Sequence, residues 1–361
     1  MAFLFKRNPK TPGDLLRLLN EQLTKLDTAS VSERKKAQDD VTRHLQTIKS
    51  MINGEDNILN ESQSGSQTDI LTQLSQEIYS TDTIYNLVAN LECIEFDSRK
   101  IVVLLFSYLL RRRIGNRLPT VDYLLSKPKI IVTLIKGPET PEISLNTGLM
   151  LREAIKHESI AKFVLYDSLF WKYFVYIQSD SFEVSTDAFT TLRVLLTEHK
   201  SLVGSFFSND QIVGNFILMI NKLITQGNYI TKRESTKLLA DLIMIKLNYN
   251  LMTKYVNDVE NLKIIMLLLG DRSKNIQIEG FNVFKVFVAN PKKEKTIIDI
   301  LAKNRNKLLE FLEGFNKDRN DDLFIAEKEY ISQQIQGLPK VLNSDKCNEK
   351  SNSSSFDIDH N

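Results

Sequence analysis

The chain has 361 residues, and its 47 Lys and Arg nearly balance its 45 Asp and Glu, so a net charge of +2 gives no global reason to expect nucleic acid or an anionic membrane as partner. Cys93 and Cys347 stand far apart with no Cys-x-x-Cys or Cys-plus-His spacing, which excludes a disulfide framework and a recognisable zinc site and implies a reducing, cytoplasmic setting. The longest apolar run, Ile101 to Leu110, is about half the ~20 residues a membrane-spanning helix needs, so no membrane insertion is expected.

Residues 11 to 26 read as a capped helix. Thr11-Pro12 suits the N-cap and first turn, Asp14 suits the positive helix start, and Leu15, Leu16, Leu19, Leu23 and Leu26 form one stripe. A second helix is predicted from Ser32 to Met51. The stretch 53–69, rich in Ser, Asn and Gly, has too little apolar content to pack and is expected to be a mobile surface loop. From Ile70 onward helical patterns continue, punctuated by Pro119, Pro128, Pro138, Pro141, Gly204, Gly227, Pro291 and Pro339, with no strand-like alternation between them. The fold class is therefore all-α. A polar, serine-rich tail over 343–361 is expected to be disordered, which leaves 1–342 as one helical domain.

Within that domain one amphipathic pattern recurs five times, from Phe96, Ile143, Val184, Ile230 and Ile276. Val184 leads to Ala188, Phe189, Leu192, Leu195 and Leu196, and Ile276 leads to Gly280, Phe281, Phe284, Phe287 and Val288. The copies from Phe96, Ile143 and Ile230 are rougher, with Lys100, Ser107, Thr147, Gly148, Glu234, Ser235 and Asp241 falling on the same offsets. The starting points lie 47, 41, 46 and 46 residues apart, by subtraction. A helical repeat of about 40 to 47 residues is the period of armadillo and HEAT arrays, whose stacked helices present extended protein-binding walls.

Chemistry is hard to find. His157 and His199 occupy equivalent places, each expected to close a repeat helix where an imidazole complements the negative helix end. Arg111, Arg112, Arg113 and Arg117 end the Ile101 to Leu110 helix, where cations are expected. No His-Glu-x-x-His, nucleophile elbow or phosphate-binding loop occurs, so no catalytic residue, metal ligand or cofactor is assigned. Tyr229, Arg233 and Lys237 recur at i, i+4 and i+8, an aromatic-basic ridge that is either solvated surface or a binding hot spot. Lys263 and Met266 lie one turn or less apart in a very apolar helix; one could line a greasy pocket while the other supplies charge for a carboxylate.

At these residues a resemblance enters. Tyr229 to Leu239, Asn275 to Pro291, Ile114 to Val121 and Leu149 to Glu153 resemble the Mo-twenty-five scaffold family, also called the calcium-binding protein 39 family, and the similarity covers roughly residues 1 to 340. The opening Asn8-Pro9-Lys10-Thr11-Pro12 resembles its fungal branch. The resemblance implies an armadillo-like horseshoe that activates kinases without being one. A concave face would clasp a Ste20-type kinase or pseudokinase through the positions that match family contacts: Phe182, Tyr229, Arg233 and Lys237. A second pocket, matched by Lys263, Met266 and Lys303, would take a Trp-Glu-Phe tail motif. In the fungal branch it implies a network that reaches a nuclear-Dbf2-related kinase and controls polarised growth and cell separation. The protein would then be cytoplasmic and enriched at sites of growth and division. The 53–69 segment and the tail fit the family pattern poorly, and no calcium requirement is expected despite the family's name. The alternative is a HEAT-type adaptor for nuclear import or RNA, which needs a conspicuous acidic or basic wall; near-neutral charge argues against it.

Overall fold

The protein is described here by a computed structural model covering residues 11–28, 30–58, 64–317 and 321–339. The expected disordered tail, 343–361, lies outside the described residues. Among them the chain is all-α. The nearest approach to a strand is an isolated bridge between Ile114 and Arg117, across a turn whose Gly115 has φ +58°, a value glycine adopts without strain. Contacts divide the chain into two compact units, Met1–Ile212 and Val213–Asn361.

In the first unit, α1 (Pro12–Leu23) starts where Thr11 accepts a hydrogen bond from the Asp14 backbone N–H at 3.1 Å, satisfying one orphan donor of the first turn. The helix expected over 11–26 breaks at Thr24: Leu15, Leu16, Leu19 and Leu23 of α1 are fully buried, as is Leu26 in the short helix Lys25–Thr28 that follows, each worth about 2 kcal/mol of transfer free energy. They pack against α2 (Val31–Ile58) and α3 (Ser64–Ser80). These two helices correct the expected loop at 53–69, most of which is helical, with residues 59–63 outside the description. Low apolar content limits packing, but Glu, Gln and Ser are ordinary helix residues once a helix is already propagating.

The repeat then builds the rest of the unit. Helices α4 (Phe96–Arg111), α5 (Pro141–Ala154) and α6 (Phe182–Thr197) carry the first three copies of the pattern, and they stack in order, α2 on α4, α4 on α5, α5 on α6. Ile143 and Val184 are buried as the pattern requires, with every later position of those two copies. Phe96 is not: it is 66% exposed, with the Lys100 ammonium 4.8 Å from its ring centroid. The buried face of α4 instead runs through Ser98, Ile101, Val102, Leu105, Phe106 and Leu109. Between α5 and α6 the Arg152 guanidinium reaches Asp187 Oδ1 at 2.6 Å and Thr191 Oγ1 at 2.7 Å, both largely buried. Gly148 is obligatory there, because a Cβ would lie inside the contact distance of Asp187 Oδ2 and only 3.0 Å from Arg152 Nη1.

In the second unit, α7 (Tyr229–Ile243), α8 (Val259–Leu269), α9 (Lys274–Ala289), α10 (Lys295–Lys303), α11 (Arg305–Gly314) and α12 (Asp322–Gln336) repeat the scheme. α9 is the centre: it packs on α7, α8 and α12, and its copy of the pattern is buried at Ile276, Gly280, Phe281, Phe284, Phe287 and Val288. α8 also meets α10, and α11 meets α12. Across the α9–α12 contact Lys285 donates to both Glu327 carboxylate oxygens, at 2.8 and 2.9 Å. Ile230, the fourth starting point, is 43% exposed; α7 buries Thr231, Ser235, Leu238, Leu239 and Leu242, one residue further along.

Candidate partner-binding surfaces

Helix α7 begins where Asn228 accepts a hydrogen bond from the Thr231 backbone N–H at 2.9 Å. With Thr231, Ser235, Leu238 and Leu242 turned inward, helical geometry sends Tyr229, Arg233 and Lys237 to the outer face, as the spacing requires. Tyr229 is 48% exposed, Arg233 is half-buried and Lys237 is exposed.

The face is completed by α9 and the turn before it. Asn275 Nδ2 donates to the Tyr229 hydroxyl at 3.3 Å, and this bond, with a second from the Ser273 side chain, holds the phenol below its usual pKa. Arg233 is held loosely, by Glu234 Oε1 at 3.4 Å and Glu279 Oε1 at 3.8 Å, while its Nε is buried without a hydrogen-bond partner. Lys232 reaches Asp271 at 3.7 Å. Glu279 is the one buried carboxylate of the group, its side chain 11% exposed. Burial pushes its carboxyl above the ordinary range, and the Asn282 amide and the Arg233 and Lys237 cations draw it partly back. A guanidinium held only by two long contacts keeps its terminal donors available for an incoming carboxylate or carbonyl.

Phe182, the fourth residue expected at this site, belongs to the first unit. It opens α6 behind the Ser181 N-cap and is 63% exposed.

The residues expected to line a tail pocket lie on α8 and α10. Lys263 is exposed and pairs with Glu260 at 2.7 Å, Met266 is half-buried, and Lys303 is exposed at the end of α10. Two residues close to these in sequence were not singled out as site candidates. Leu267 is 76% exposed, and Arg305 donates through Nη2 to the carbonyl of Pro339 at 2.8 Å and to that of Leu338. Leu267 is hidden in an apolar run that hydropathy cannot resolve into inner and outer faces. Asn275 and Glu279 were findable: each lies one repeat, 46 residues, beyond the α7 residue it meets.

The histidines correct the expected placement. His157 and His199 each precede the next short helix rather than close their own. The His199 ring Nε2 lies 2.8 Å from the Ile155 carbonyl at the end of α5, and His157 hydrogen-bonds the Leu110 carbonyl at the end of α4. Each ring thus serves the helix end of the preceding repeat. Burial, then Arg113, holds the His157 imidazole below its usual pKa, so it is neutral near pH 7. Two members of the arginine cluster are held locally: Arg111 donates to the Ser107 carbonyl, and Arg112 to Tyr108 and Thr72. No helix among the described residues is long and apolar enough to cross a membrane.

The sequence matches the Mo25-like family model over residues 3–339. The chain belongs to the Mo25-like family. It is similar to Calcium-binding protein 39-like of Mus musculus, 42% identical over 341 residues, which covers 94% of this chain and 98% of the relative. It is also similar to Protein HYM1 of Saccharomyces cerevisiae, 40% identical over 368 residues, covering 99% of this chain and 91% of the relative. Conidiophore development protein hymA of Emericella nidulans is 35% identical over 370 residues, 94% of either chain. The Mo25-like resemblance read from the α7 and α9 segments thus extends over nearly the whole sequence, and Mo25-like proteins are a scaffold family.

Proposed function

We propose that this chain is a non-catalytic scaffold that binds a Ste20-type kinase or pseudokinase and activates it. The observation that carries the reading is the outward alignment of Tyr229, Arg233 and Lys237, with Arg233 loosely held between Glu234 and Glu279. Tyrosine and arginine are the residue types that dominate binding hot spots, and Tyr229 is oriented by Asn275 before any partner arrives. Phe182 adds an apolar contact, and Lys263, Met266 and Lys303 receive a Trp-Glu-Phe motif in the partner's tail.

Activation is a population shift. The scaffold binds the kinase's active conformer more tightly than the inactive one, and only that difference moves the equilibrium. Carrying a kinase from 1:99 to 99:1 active takes a preference of about 5.5 kcal/mol, within the range of a few hot-spot contacts. Membership of the family with HYM1 and hymA supports a role in fungal morphogenesis, acting through a downstream nuclear-Dbf2-related kinase, with the protein cytoplasmic and concentrated at growing and dividing sites. The adaptor for nuclear import or RNA gains no support from this face, where Lys232 and Arg233 sit against Asp271, Glu234 and Glu279 rather than forming an unopposed basic strip. Titrating the chain into a kinase assay tests the reading: a Ste20-type kinase gains activity with saturation, and Y229A/R233A does not support the gain.

A further inference from the structure

The second unit carries an apolar, basic surface beside the point where the described chain ends. On α8, Lys263, Met266 and Leu267 share one helix face at i, i+3 and i+4, and Leu267 is the most exposed large apolar side chain described in this unit. α10 packs on α8 and ends at Lys303. Two residues later in sequence Arg305, at the start of α11, grips the Leu338 and Pro339 carbonyls, so the last described residue, Pro339, lies against the turn that follows α10. Beyond Leu342 the sequence has little to bury except Phe356 and Ile358, and these alternate with Asp357 and Asp359. In an extended backbone that alternation gives one apolar edge and one acidic edge.

We infer that the chain's own Phe356–Asp359 segment docks in cis on the α8–α10 surface, with Phe356 and Ile358 covering Leu267 and Met266 and the aspartates facing Lys263 and Lys303. The reach is ample: seventeen residues from Pro339 to Phe356 span up to roughly 56 Å. Charge is complementary, acidic segment to basic face. The Lys263–Glu260 pair is solvent-exposed and contributes little, so an incoming carboxylate displaces it easily. Tethering supplies an effective concentration in the millimolar range, enough for a weak contact to be occupied. Because this surface is the one proposed above for a partner's tail, the consequence, though not the contact, rests on that reading. The bound segment shields the surface until a stronger tail displaces it.

Two measurements on the full-length chain test this. A photoreactive benzoylphenylalanine at position 356, irradiated in dilute solution, is expected to cross-link within its own chain to α8 or α10. Cross-links elsewhere, between chains only, or none at all would overturn the inference. In the second, F356S/I358S is expected to bind a Trp-Glu-Phe peptide at least threefold more tightly than the unaltered chain, and an unchanged affinity would overturn the shielding. If the peptide fails to bind either protein while the cross-link forms, the partner-tail reading fails and the cis contact stands. If the peptide binds and the cross-link is absent, the reverse holds.

Discussion

Replacing Arg233 with alanine separates what the α7–α9 face does for a partner from what it does for the fold. The guanidinium is partly exposed and its two ion pairs are long, 3.4 Å to Glu234 and 3.8 Å to Glu279. The partly exposed pair with Glu234 is worth about 0–1 kcal/mol, and Glu279, though buried, keeps the Asn282 amide and the Lys237 cation beside it when the guanidinium is removed. The loss of the two pairs is partly offset because Nε, buried without a hydrogen-bond partner, no longer has to be accommodated. Folding stability should therefore fall by no more than ~1 kcal/mol. Against a kinase the same truncation should cost at least ~1 kcal/mol and more if the contact is central, because hot-spot arginines cost ~2 kcal/mol or above. A loss of 1.4 kcal/mol is a tenfold weaker Kd. Calorimetric titration and thermal unfolding of the same preparation read both terms. Unchanged affinity, or a stability loss large enough to account for the weaker binding, would refute the reasoning.

Three further outcomes follow from particular contacts. Gly148→Ala pushes a methyl into the Arg152–Asp187 pair and should cost about 2 kcal/mol or more, a fall of roughly 4–8 °C in Tm seen by calorimetry. Glu279→Gln removes a carboxyl whose folded pKa is raised, so the native state holds its proton more tightly than the unfolded chain does. Stability of the unaltered protein therefore declines as pH rises from the ordinary carboxylate value through the raised one, and denaturation curves across that window should flatten in the variant. Met266→Ala should weaken a Trp-Glu-Phe peptide in calorimetry while leaving the helical circular dichroism unchanged.

How far the sequence could be read depended on what each position had to bury. In α1 Thr11, Pro12 and four leucines give cap, first turn and stripe at once, whereas the break at Thr24, before Leu26, left no mark in the apolar spacing. The copies on α5, α6 and α9 were legible because every position of the pattern is buried there, filled by apolar side chains with Thr147, Gly148 and Gly280 among them. Those on α4 and α7 slipped, because small hydroxyl residues occupy the close approach. Ser98 Oγ donates to Thr42 Oγ1 at 2.9 Å, and Thr231 and Ser235 are buried where Phe96 and Ile230 suggested apolar bulk. A hydropathy pattern scores such residues as outward-facing although their size suits a tight helix crossing. Segment 53–69 misled in the opposite sense, since composition reports the capacity to pack and says less about helix propagation. At the candidate surface, the shared outward face of Tyr229, Arg233 and Lys237 followed from spacing, their choice as a site came from the family resemblance, and Asn275 and Glu279 required the repeat period to be used as a contact map.

The most direct test of the central claim measures a purified Ste20-type kinase of the same organism with and without this chain. Activity should rise and saturate at one scaffold per kinase, and Y229A/R233A/K237A, folded by circular dichroism, should leave it at the basal level. Full activation by that triple variant, or no activation by the unaltered chain despite measurable binding, would contradict the account.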